Sequence, residues 1–307
     1  MADNSRAINR VFTRGVIGDL LQNGTNEVFD YVVQRYVNDP EHKTHGEIIS
    51  EIYAHLGKEH RNEYYYMNTL LNKLLIGIHS VNTTTALSQV RIGCHIADFV
   101  MINGEGRVYE IKSDLDNFGR LHDQLSDYFK AFSNVSVLTT IHEFERVERI
   151  LAEQGDMGES VGIYVVNDNN VRFNLKDRRY PRQFDDYLDH SCIKERRAPR
   201  QFDGYLDHSC IFKLLRKREY ENVILQQFEG LPQVAPVFHF KACLEKFQQI
   251  PIKTAQDLAF KELKKRNKIS KTAFESIQPE LKSTVYFSGL TRRLPDLEQL
   301  LKTNYRR

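Results

Sequence analysis

Apolar positions recur along the chain in two periods, and the change from one to the other marks out the elements. Residues 11–21 and 26–37 carry apolar side chains at helical spacing, and Thr44-His-Gly-Glu47 has the form of a capping box opening a helix to about residue 56. Gly24, Pro40 and Gly57 separate these segments. Residues 59–76 predict a stronger helix, with Glu63, Met67, Leu70, Leu71 and Leu74 on one face. That stripe is apolar except at Glu63. A carboxylate there reaches solvent, favours the helix N-terminus or serves a site.

The period then shortens to two. Residues 83–92 read as a Thr-rich strand closed by Gly93, and residues 96–102 and 107–112 as two more strands around Asn103-Gly-Glu-Gly106. Together they predict a meander. The last two strands are apolar enough to be buried on both faces, yet they carry Asp98, Glu110 and Lys112. Buried charge is costly unless it is paired or serves a ligand. Glu110 and Lys112 are two apart and share a face. Asp98 joins them only if the loop is odd in length. A three-residue loop Gly104-Glu-Gly106 sets residue 98 opposite residue 112, whereas an even loop turns Asp98 to the other face.

Helical period returns over residues 114–132, with Leu121, Leu125, Tyr128 and Phe132 buried and Gln124 and Tyr128 four apart on the same inner face. A strand at 135–139, a charged helix at 142–154 and a hairpin of 161–166 with 171–175 follow. This order predicts an α/β (α+β) fold in which helices flank a mixed sheet. The expected organisation is an N-terminal helical region (1–57), a core (58–176), a duplicated loop segment (177–211) and a basic, mainly helical region (212–307).

The duplication is plain. Residues 181–193 recur as residues 199–211 with twelve of thirteen positions identical, which suggests a recent event in a tolerant loop. His190/Cys192 and His208/Cys210 then form two His-x-Cys pairs, enough ligands for zinc, although duplication produces such symmetry without any metal.

With 307 residues, 41% hydrophobic and 27% charged, the composition is that of a globular protein. No apolar run approaches the roughly 20 residues that span a bilayer. Four scattered cysteines and an N-terminus without a signal-peptide pattern point to a cytoplasmic setting. The net charge of +2 hides an asymmetry, because from Lys241 onward 15 Lys and Arg face 7 Asp and Glu. The basic run Lys261-Glu-Leu-Lys-Lys-Arg-Asn-Lys268 makes Lys264, Lys265 and Arg266 candidate phosphate contacts, with a solvated helix face as the alternative. A second basic face lies in Lys213-Leu-Leu-Arg-Lys-Arg-Glu219.

Asp98, followed on the next strand by Glu110-Ile-Lys112, resembles the PD-(D/E)XK nuclease motif, with Ala97 where the motif name has Pro. Gln124-Leu-Ser-Asp-Tyr128 is similar to the Gln/Tyr helix of RecB-like nucleases. More narrowly, the runs beginning at Asn62, Asn82, Tyr109 and Tyr128 resemble the sce7726 family of bacterial proteins. The resemblance implies a restriction-endonuclease-like core, with Asp98, Glu110 and Glu63 as metal ligands, Lys112 at the attacking water, and Gln124 and Tyr128 orienting the site. It implies a Mg²⁺-dependent phosphodiesterase, with Mn²⁺ able to substitute, acting on DNA in preference to RNA and leaning towards single strands, ends or branched forms. A role in DNA processing or phage defence accompanies it. Two Asp and Glu ligands beyond the one that Lys112 neutralises also call for a cation. The rival expectations are a catalytically idle nucleic-acid-binding or regulatory module and a zinc-stabilised interaction protein.

Overall fold

The computed structural model describes residues 2–59, 61–78, 80–114, 116–166 and 193–306. These fall into two units, one of residues 2–82 with 269–306 and one of residues 83–166 with 193–268. The helical unit begins with α1 (Ala2–Val11), α2 (Arg14–Asn23), α3 (Glu27–Tyr36), α4 (His45–Glu59) and α5 (Glu63–Asn72). Asn26 starts α3 by accepting the Val28 and Phe29 amides at 2.9 and 3.1 Å. The capping box of α4 forms as expected: Glu47 accepts the Thr44 amide at 2.8 Å while Thr44 accepts the Glu47 amide at 3.3 Å. The helix expected over 59–76 instead starts at Glu63, because the Asn62 side chain takes the Tyr65 amide at 2.9 Å and opens a new helix.

The second unit is built on a six-stranded sheet: β1 (Thr85–Ile92), β2 (His95–Asn103), β3 (Glu105–Lys112), β4 (Asn134–Thr140), β5 (Gly162–Val166) and β6 (Ile193–Arg197). The strands lie in sequence order. β1–β2–β3 is the expected antiparallel meander, β4 and β5 add parallel, and β6 closes antiparallel. The class is therefore a mixed sheet flanked by helices. The strand expected at 171–175 lies outside the described residues. α6 (Leu121–Phe129) connects β3 to β4, and α7 (Phe144–Ala152) and α8 (Gly155–Ser160) connect β4 to β5. α9 (His208–Lys213), α10 (Lys217–Gln227), α11 (His239–Phe247) and α12 (Ile252–Leu263) follow β6.

One apolar core joins Val100 and Ile102 of β2, Val108 of β3, Val135 and Val137 of β4 and Ile163 and Val165 of β5 to Leu125, Phe129 and Phe132 and to α9–α12. Even-numbered positions of β2 and β3 thus face α6, and this parity places Asp98, Glu110 and Lys112 on that same face. Gly106 lies where the Phe132 and Phe260 rings stack on the hairpin; a Cβ there would come within 2.5 Å of Phe260.

The chain ends in α13 (Lys271–Ser276), α14 (Lys282–Ser288) and α15 (Leu294–Lys302), which belong to the helical unit. Asn68 of α5 stitches that unit together, donating to Tyr53 Oη and to the Pro279 carbonyl and accepting the Ser283 amide. Thr44 and Asn304 form an antiparallel bridge. No helix among the described residues is long and apolar enough to cross a membrane.

Candidate functional site

The hairpin turns on Gly104 alone, with φ +75° and Asn103 paired with Glu105. The loop is odd, so Asp98 shares a face with Glu110 and Lys112, as the pattern required. The register differs by two residues from the expected one. Phe99 pairs with Tyr109, and one further step sets Asp98 opposite Glu110 rather than Lys112. A one-residue turn closes the hairpin earlier than the Gly104–Gly106 loop would.

Asp98 occupies a gap in both ladders. The β1–β2 partners run through Ser88↔Phe99 and resume at Val90↔Ala97, with Gln89 between them at φ +53°. The β2–β3 partners stop at Phe99↔Tyr109. Beyond that point the Ile111 amide donates to Asp98 Oδ2 at 2.8 Å, so a side chain takes the place of a ladder carbonyl. A non-glycine residue with positive φ is strained by about 1–3 kcal/mol and persists where its surroundings enforce it.

Glu110 is the hub. It is 2% exposed. Its Oε1 accepts from Lys112 Nζ at 2.9 Å and from Gln124 Nε2 at 2.5 Å, and its Oε2 accepts from Tyr128 Oη at 2.6 Å. Lys112 Nζ also donates to Gln124 Oε1 at 3.0 Å, which closes a ring of three side chains. Asp98, Glu110, Lys112, Gln124 and Tyr128 are thus brought together by two strands and one helix. Burial, followed by the Glu110 charge and then the Asp98 charge, pushes the Tyr128 phenol far up, so it acts as a hydrogen-bond donor and not as a base. Its hydroxyl also reaches the Ile96 carbonyl at 2.9 Å.

α6 is held to the start of β2 by Asp127, a residue that sequence reasoning missed. Asp127 accepts from the Cys94 amide at 2.8 Å, from His95 Nδ1 at 2.7 Å and from Lys130 Nζ at 2.6 Å. Burial raises its carboxyl, but Lys130, His95 and the Cys94 amide outweigh that and hold it below its usual value. A Cβ on Gly93 would meet the Asp127 carboxylate at 2.6 Å, and Gly93 has φ +59°. The place of Asp127 on the helix face of Gln124 and Tyr128 was readable in the spacing, but its partners Cys94 and His95, more than thirty residues away, were not. The helix itself is shorter than the expected 114–132. Ser113 donates its amide and hydroxyl to Asp116 in a local turn, and Asn117 caps the 3₁₀ turn that precedes α6.

Glu63 belongs to the helical unit, where it is the exposed first residue of α5. Among the described residues no three His, Cys, Asp or Glu side chains are grouped to hold a metal ion. Asp98 and Glu110 nevertheless suit a hard cation in type and charge. They are two oxygen donors on one face, balanced by a single ammonium, and Mg²⁺ commonly uses one or two carboxylates and fills its shell with water and phosphate.

The basic run is tied into the fold. Arg266 holds both carboxylate oxygens of Glu219, at 2.8 and 2.5 Å, with each side chain 15% exposed, and also donates to the Leu214 carbonyl. Lys265 lies 2.5 Å from the buried Glu262, and the Lys264 carbonyl accepts from Thr85 Oγ1.

The second copy of the duplication is also structural. Its Phe202 packs on Phe129, Asp203 accepts from Lys253 at 2.7 Å, Asp207 caps α9 and Ile211 is fully buried. Its His208 Nε2 bonds the Ile250 carbonyl, and burial pushes the Cys210 thiol up to about 11. The first copy's His190 and Cys192 lie outside the described residues. Cys94, Cys210 and Cys243 are free thiols.

Residues 57–195 match the model of the family described as Bacteriophage P4 protein cII. The matched stretch includes the Asp98 to Tyr128 cluster. No curated protein and no solved structure matches the chain.

Proposed function

We propose that this chain is a Mg²⁺-dependent nuclease of the PD-(D/E)XK type, active on DNA in preference to RNA, in a cytoplasmic setting. One observation carries the reading: Glu110, buried in the sheet and opposite Asp98, is held by Lys112, Gln124 and Tyr128 at 2.5–2.9 Å. A carboxylate pair, an ammonium and two orienting polar groups are what hydrolysis of a phosphodiester needs.

Asp98 and Glu110 would hold a divalent cation, which would supply Lewis acidity towards the phosphate and activate a water for attack. Glu110 and Gln124 take two of the three N–H donors of Lys112, and the third can hold an attacking water or a phosphoryl oxygen. Gln124 bonds both Glu110 and Lys112 and so fixes their spacing. Tyr128 donates to Glu110 Oε2 and ties that carboxylate to α6. The screen that tests this offers single-stranded, duplex and branched DNA and RNA, each with Mg²⁺, Mn²⁺ or EDTA. Metal-dependent cleavage of a DNA substrate is expected, and no cleavage of any substrate would overturn the reading.

A second reading is a nucleic-acid-binding or regulatory module that keeps the fold without turnover. Its support is that both Glu110 oxygens already receive donors from three side chains, so the cluster is satisfied in itself. Nucleic-acid binding with no metal-dependent product in the same screen would favour it.

A further inference from the structure

The surface formed by α10 and α11 carries two features that the catalytic cluster does not use. The first is charge. Lys213, Arg216, Lys217 and Arg218 lie within six residues at the junction of α9 and α10, and all four are exposed. Unlike Lys265 and Arg266, Lys217 is loosely held, 4.0 Å from Glu221 with its side chain 71% exposed. The second is apolar surface. Val237 is 79% exposed, Phe238 60% and Phe240 46%.

The two features adjoin. Glu221 Oε1, the oxygen nearest Lys217, also accepts from His239 Nε2 at 2.8 Å, and His239 stands between Phe238 and Phe240. The Phe240 ring lies 5.2 Å from Phe212 and 5.9 Å from Tyr220, and Lys213 follows Phe212 directly. Lys241, the next cation along α11, is 4.0 Å from Glu245. An exposed apolar patch rimmed by charge marks a binding surface, and the sign of the rim selects a polyanion.

We propose that this surface binds single-stranded nucleic acid, with Phe238 and Phe240 stacking on bases and Lys213, Arg216, Lys217 and Arg218 meeting phosphates. Stacking on aromatic rings requires unpaired bases, whereas a duplex offers only its phosphates to such a surface. The inference rests on the reading that nucleic acid is the substrate, and it adds the place of contact and the side chains that would select unpaired bases.

The test is fluorescence anisotropy of a labelled single-stranded DNA oligonucleotide with the full chain in EDTA, where cleavage does not enter. Wild type is compared with Phe238→Ala/Phe240→Ala and with Lys213→Glu/Lys217→Glu, and thermal melting checks that these exposed changes leave the fold intact. The expected result is tenfold or greater weakening in the Phe pair with an unchanged salt slope. The Lys pair should weaken binding and lower the slope of log K against log salt by about 1–2. An unlabelled duplex should compete poorly. The proposal is overturned if wild type fails to bind, if both variants bind as wild type does, or if the duplex competes equally. It is also overturned if the Phe pair only converts a dimer to a monomer by light scattering, which would assign the patch to a second copy. Parallel cleavage assays in Mg²⁺ separate the two readings: binding without turnover leaves this surface standing and removes the nuclease.

Discussion

Glu110 Oε1 and Lys112 Nζ lie 2.9 Å apart, with their side chains 2% and 8% exposed. They sit on one strand, two residues apart, in a position where neither charge is solvated alone. Lys112→Met leaves the Glu110 carboxylate buried without its cation and should cost about 3–5 kcal/mol. Adding Glu110→Gln should recover most of that loss, because the pair is then removed together. Urea unfolding of the two single variants and the double variant measures the coupling. Additive losses would mean that the two charges do not depend on each other.

Arg266 is expected to hold the fold. Its guanidinium grips Glu219 at two points across 47 residues of chain and donates to the Leu214 carbonyl as well. Burial raises the Glu219 carboxyl, but Arg266 and the Arg216 amide more than offset this and hold it below its usual value. Its contribution is therefore present above the unfolded carboxylate pKa and fades as the pH falls through the lower folded value. Arg266→Ala should destabilise the chain by about 3 kcal/mol at neutral pH, with a smaller loss at pH 3. Denaturant midpoints at the two pH values check this, and an equal loss at both would contradict it.

Particular residues show why some of this was legible in the sequence. The period of two in residues 107–112 implied that Glu110 and Lys112 share a face, because alternation depends only on the strand, whereas Asp98 on the neighbouring strand joined them only once the loop proved odd. The register was not legible, since it depends on whether the turn closes on Gly104 alone, and backbone torsion leaves no mark in hydrophobic pattern. Gln124 and Tyr128 were visible through the helical period. Asp127 was not, because a charged residue on a helix reads as solvent-facing until its partners Cys94, His95 and Lys130 are known. Arg266 in the basic run read as a free surface because its partner Glu219, 47 residues away, is identified only by tertiary contact. Likewise, Asn68 bonds Pro279 and Ser283 from more than two hundred residues away, which no local pattern encodes.

Lys282 of α14 offers a test of the helical unit by itself. It is 3% exposed with its ammonium 4.6 Å above the Phe274 ring, and burial pushes its pKa down to about 8 against the opposing pull of Glu275. The folded value lies below the unfolded one, so the penalty for burying the charge is complete below pH 8 and vanishes once the unfolded lysine is also neutral. Stability should therefore rise between about pH 8 and 10. Lys282→Met should stabilise the chain by up to about 3 kcal/mol at pH 7, and by little near pH 10.5. Chemical denaturation at both pH values measures it, and the same gain at each would refute the assignment.

The central claim is that the cluster around Glu110 is a metal-dependent nuclease centre. Glu110→Gln keeps the size of the side chain and one oxygen to accept from Gln124 and Lys112, while an amide replaces the oxygen that accepts from Tyr128 and the charge is removed, so it disturbs the packing less than truncation does. The most direct measurement is the Mg²⁺-dependent cleavage rate of a labelled single-stranded DNA by wild type and by Glu110→Gln, each first shown to be folded by its thermal transition. The account predicts cleavage by wild type and a loss of at least about a hundredfold in the variant. Equal rates in the two proteins, or no cleavage by either, would contradict it.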